Sequence, residues 1–129
     1  MMRLLIVIFC FILPLTACNN EKIKDEHVAY IDNLGWTIES FESNRQETVE
    51  IVKEIIENYR AAHINFIEEY AGKELNVTCY KLKEKDLEGN NILVDLYEYE
   101  GKIVGAIGKL PNTTPGIFNL TDIDKKNIH

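Results

Sequence analysis

Residues 4–13 form one unbroken apolar run, while later apolar residues are interrupted at spacings that distinguish helix from strand. At about 1.5 Å per residue the run would span roughly 15 Å as a helix, half of a ~30 Å hydrocarbon core. Pro14 ends it. It suits the apolar region of a signal peptide better than a membrane span. Residues 25–34 predict a first helix. Asp25 and Glu26 complement its positive end, and His27, Ile31 and Leu34 share a stripe with Tyr30 beside it. Leu34-Gly35-Trp36 reads as the stop: Gly35 takes the left-handed C′ position and Trp36 folds back onto Ile31. This assigns Trp36 to packing. Thr37-Ile38-Glu39-Ser40-Phe41 alternates and predicts a short edge strand.

Ser43 with Gln46, or Asn44 with Glu47, has the form of a capping box and predicts the start of a second helix. That helix carries Val49, Val52, Ile55, Ile56, Tyr59 and Ala62 on one stripe and Glu47, Glu50, Lys53, Glu54 and Glu57 opposite. Residues 66–72 read as a helical turn closed by Gly72. Three strands follow, at residues 75–83, 91–99 and 102–109, with Glu100-Gly101 as a two-residue hairpin loop. The loop sets Tyr97 opposite Val104, Leu96 opposite Gly105, Asp95 opposite Ala106 and Val94 opposite Ile107. Ile92, Val94, Leu96, Ile103 and Ile107 then form one face, the expected seat of the second helix. Leu93, Tyr97, Tyr99 and Val104 form the other. The expected fold is α+β, with two helices packed on a three-stranded antiparallel meander and a short extra edge strand. Tyr97, Tyr99 and Val104 are the candidate protein interface if the first helix leaves their face open; otherwise that helix packs over them.

The chain of 129 residues has room for one domain, at residues 25–120, with a polar linker at 18–24 before it and a tail at 121–129 after it. Loss of residues 1–17 removes Arg3 and takes the net charge from −7 to −8. An acidic domain without a basic stripe is repelled by nucleic acid and by anionic headgroups. Attachment to a bilayer therefore needs another device. Leu15-Thr16-Ala17-Cys18 resembles the bacterial lipobox, which implies a diacylglyceryl group on the Cys18 sulfur and cleavage after Ala17. Two acyl chains anchor stably at ~0.8 kcal/mol per buried methylene. Ordinary secretory cleavage after Ala17 is the other outcome. Of three cysteines, only Cys79 is then left in the domain, reduced and, in its strand, buried as a small hydrophobe.

Four segments carry a wider likeness: Tyr30-Ile31-Asp32-Asn33-Leu34-Gly35-Trp36, Glu57-Asn58-Tyr59, Tyr70-Ala71-Gly72-Lys73, and Leu96-Tyr97-Glu98-Tyr99-Glu100-Gly101-Lys102-Ile103-Val104-Gly105. In order and spacing they resemble a domain-of-unknown-function family found in small lipoproteins of spore-forming Gram-positive bacteria. Where members carry Gly-Gly, this chain has Gly105-Ala106. The resemblance implies a secreted, membrane-anchored α+β domain at the extracytoplasmic face and supplies no activity.

No catalytic set stands out. His27, His63 and His129 fall in no metal-ligand spacing, no GxSxG occurs, and nothing beside Cys79 in the sequence would activate it. Asp86-Leu87-Glu88-Gly89-Asn90 reads as a turn, lacking the ligand order of a calcium loop. No cofactor is expected. The function expected is a lipid-anchored binding or interaction module with an envelope protein partner. The alternative is a small regulator or inhibitor of an envelope enzyme such as a peptidase.

Overall fold

The first helix, α1 (Asp25–Asn33), ends as its sequence asks. Gly35 has φ 88°. Its N–H donates to Asp32 O at 2.9 Å, and the Trp36 N–H reaches back to Ile31 O at 3.1 Å. These are the two bonds of a Schellman motif, and they turn Trp36 under the helix. The computed structural model describes residues 23–113 and 116–121. The whole expected leader, residues 18–22 of the expected linker, Cys18 included, and residues 122–129 of the expected tail lie outside the described residues. No described helix is long and apolar enough to cross a membrane.

The sheet has five antiparallel strands in sequential order, not three. They are β1 (Ile38–Thr48), β2 (Glu74–Lys85), β3 (Asn91–Tyr99), β4 (Lys102–Lys109) and β5 (Ile117–Asn119). The short edge strand expected at residues 37–41 is the start of β1, which runs on through the residues assigned to a helix start. Ser43 pairs with Cys79, Asn44 with Thr78, Gln46 with Asn76 and Thr48 with Glu74. The polar side chains that looked like caps bond across the strands instead: Asn44 Nδ2 donates to Thr78 Oγ1 at 2.9 Å, and Gln46 Nε2 to Asn76 Oδ1 at 3.0 Å. Extended pairing continues past β1, since Val49 N–H donates to Lys73 O and Gly72 N–H to Val49 O. The chain is thus held extended at Val49, and the second helix, α2 (Lys53–Ala61), starts later than its apolar spacing suggested.

α2 closes with a second Schellman motif. His63 N–H donates to Arg60 O at 3.0 Å and Ile64 N–H to Tyr59 O at 2.8 Å. His63 occupies the glycine position with φ 59°. A left-handed non-glycine residue costs roughly 1–2 kcal/mol, and His63 is exposed. His63→Gly is expected to raise stability by about 0.5–1 kcal/mol, read as a higher urea midpoint at unchanged slope.

The β3–β4 hairpin turns at Glu100-Gly101, with φ 50° and 77°, as the primed two-residue loop requires. Tyr99 pairs with Lys102 and Glu98 with Ile103, but Tyr97 then pairs with Gly105. Val104 is an extra residue at a bulge, so the expected register holds only at the loop. Beyond it Leu96 faces Ala106, Asp95 faces Ile107 and Val94 faces Gly108. Ile107 consequently joins the Tyr97 face rather than the Val94 face. Beside the bulge, a Cβ at Gly105 would lie 2.5 Å from the Phe66 ring, so the ring is seated where only glycine fits.

Each sheet face has its own core. Tyr80, Leu82, Ile92, Val94, Leu96 and Ala106 pack with Ile31, Trp36, Phe118 and Leu120. Leu75, Val77, Tyr97 and Ile107 pack with Val49, Ile64 and Ile67. The helices are therefore exchanged relative to the sequence expectation. α1 covers the Ile92–Leu96 face, and the 49–70 segment, including a 3-10 helix (Phe66–Tyr70), covers the Tyr97 face. No α2 side chain is buried.

Candidate binding surface

His27 sits on the inward stripe of α1 and is completely buried. Glu98 occupies the inward side of β3, two residues beyond Leu96, and is also buried. His27 Nε2 lies 2.9 Å from Glu98 Oε1, and Nδ1 lies 2.6 Å from Tyr80 Oη. Burial raises the Tyr80 phenol pKa, partly offset by a backbone hydrogen bond from Lys24. Both ring nitrogens are hydrogen-bonded, Nδ1 to the Tyr80 hydroxyl and Nε2, as donor, to the carboxylate. Lys24 Nζ stands 4.0 Å from the same oxygen. The arrangement has the parts of an acid–base relay, but Tyr80 and His27 have no exposed surface to offer a substrate. It ties α1 to β2 and β3.

A second charged group lies on the other face. The buried Asp95 carboxylate is 3.1 Å from Arg45 Nη2 and 3.0 Å from Lys109 Nζ. Its Oδ1 takes no aligned hydrogen bond, so the Lys109 contact is an ion pair. Burial works against charge on Arg45, and the hydrogen bonds and charges of Asp95 and Glu47 outweigh it and raise the guanidinium pKa. Cys79 is free and buried, and burial followed by the charge of Asp95 pushes its thiol up to about 11. At neutral pH it is a protonated hydrophobe and not a nucleophile.

The three residues expected at an interface are brought together, Tyr97 covered and the other two half-buried. Tyr97 is 3 % exposed and meets Phe66 edge to face at 5.7 Å. Burial, with the Asp95 charge behind it, raises the Tyr97 phenol pKa. Its O–H donates to Tyr59, whose own pKa is raised by burial. Tyr99 and Val104 are half-buried beside it, Tyr99 against Tyr70 at 5.3 Å with Lys73 Nζ 5.2 Å from the ring centre. Tyr97 is core, then, and its cover is the 3-10 helix rather than α1.

The open surface lies next to them. A cleft of about 280 Å³ runs between the end of β1 and α2, lined by Glu47, Thr48, Val49, Glu50, Ile55, Tyr59 and Ile67. Ile51 is 75 % exposed, Val52 43 % and Ile55 36 %, so aliphatic surface extends from the cleft to solvent. The sequence placed Val52 and Ile55 on a buried stripe. They are exposed because the extended chain at Val49 carries α2 outward. His63 takes no part in this surface beyond closing α2, and its carbonyl accepts from Asn119 Nδ2 at 2.6 Å. The His27–Glu98 pair was half legible: helical spacing pointed His27 inward, while only alternation along β3 marks Glu98 as its partner. Searches of family models, of curated proteins and of solved structures found no match to this chain.

Proposed function

We propose that the protein is a membrane-anchored extracytoplasmic lipoprotein that acts as a binding module, held at the bilayer through acylated Cys18. The anchor rests on the lipobox resemblance of Leu15-Thr16-Ala17-Cys18 and on the likeness to small Gram-positive lipoproteins. The binding role rests on one observation: the cleft between β1 and α2, with Ile51, Val52 and Ile55 exposed at its side. Exposed aliphatic residues grouped at a concavity mark interaction surfaces. Glu47 and Glu50 line the same cleft in a chain of net charge −7, so its occupant is a segment of an envelope protein that is both basic and aliphatic.

Metabolic labelling with a fatty acid tests the anchor: wild type takes the label and Cys18→Ala does not. Equal labelling of both removes the anchor from the account. Calorimetry tests the cleft with the full chain in detergent and a lysine-rich, leucine-containing peptide. Ile55→Asp should lower affinity at least ~10-fold, as loss of about 1.4 kcal/mol does. Unchanged affinity in that variant contradicts the cleft assignment.

A further inference from the structure

We propose that Glu26, His27 and Glu98 form a binding site for a divalent transition-metal ion, with zinc the best fit to the donor set. One ligand atom from each of the three lies within 4.8 Å of the others. Two donors on a tetrahedral ion, each at about 2.0–2.1 Å, stand roughly 3.3 Å apart. His27 Nε2 and Glu98 Oε1 are 2.9 Å apart, so an ion enters with a shift of a few tenths of an ångström. Glu26 is exposed at the start of α1 and free to close the remaining gap.

The chemistry of the donors selects the ion. One imidazole and two carboxylates suit zinc and its neighbours, whereas magnesium and calcium prefer oxygen alone. The surroundings supply what such a ligand set needs. With the ion on Nε2 the ring would carry its single proton on Nδ1, where Tyr80 Oη at 2.6 Å accepts it and fixes the ring. Asn76 Nδ2, 3.5 Å from Glu98 Oε1, steadies the carboxylate. Two positive groups compete with the ion: Lys24, 4.0 Å from Glu98, and the N-terminal end of α1. Lys24 is half exposed and can swing aside. Ligand spacing along the chain could not reveal this site, because His27 and Glu98 are 71 residues apart.

The test is titration of the full chain, chelator-stripped in detergent, with cobalt(II), followed by competition with zinc(II). One equivalent should give the visible absorption of a tetrahedral nitrogen–oxygen site, and zinc should displace it. Glu26→Gln should weaken binding at least ~10-fold, and Lys24→Ala should tighten it. Both residues are exposed, so neither variant depends on rebuilding the core. Absence of the cobalt spectrum, or equal affinity in wild type and Glu26→Gln, overturns the proposal.

Discussion

Trp36→Ala is expected to destabilise the protein by about 3–5 kcal/mol, the range for deleting a fully buried large aromatic. The indole is buried between α1 and β5, its ring 5.8 Å from Phe118 and its Nε1–H donating to Leu120 O at 3.3 Å. Its removal opens a cavity, breaks that bond and frees the chain after Gly35 from the core that α1 shares with the sheet. Equilibrium urea unfolding measures the loss. A change below about 1 kcal/mol would mean that the Schellman turn fixes α1 without the ring.

The second large effect is expected at the His27–Glu98 pair. His27→Ala removes one partner and leaves a buried carboxylate with Lys24 at 4.0 Å and Asn76 at 3.5 Å and a second carboxylate, Glu26, close by, at an expected cost of about 3–5 kcal/mol. Replacing both members, His27→Leu with Glu98→Met, should cost less than His27→Ala alone, because no uncompensated charge remains. A double variant at least as unstable as the single one would show that the pair contributes net stability beyond satisfying itself. The metal titration reads the same residues through Glu26 and Lys24, so the structural and metal-binding roles separate.

The sequence carried the elements with local signals. Leu34-Gly35-Trp36 and Glu100-Gly101 each need a left-handed backbone, and both form as their residues require. Residues 91–99 and 102–109 are rich in apolar residues on either side of Glu100-Gly101 and are strands at those bounds. What was lost was set by distant partners. Ser43 to Thr48 are polar on both sides of the strand, so no apolar period marks them, and their capping pattern is equally a ladder of cross-strand bonds to Thr78 and Asn76. The bulge at Val104, beside the glycine on which the Phe66 ring sits, is a feature that no hairpin rule contains. One residue of slip moved Ile107 to the other face. The exchange of the helices followed from the same omission: with β1 and Val49 extended, residues 49–70 are led to the Tyr97 face and α1 takes the other. That error also hid the open surface, because the α2 stripe was read as buried when Val52 and Ile55 face solvent.

The binding claim is tested most directly by mapping a titration residue by residue. Isotope-labelled full chain in detergent would receive a lysine-rich, leucine-containing peptide while backbone amide shifts are followed. The account expects saturable shifts centred on Val49, Glu50, Ile55, Tyr59 and Ile67, with none on the α1 face and none from a peptide of reversed charge. Shifts that never saturate, or that centre on another surface, would contradict it.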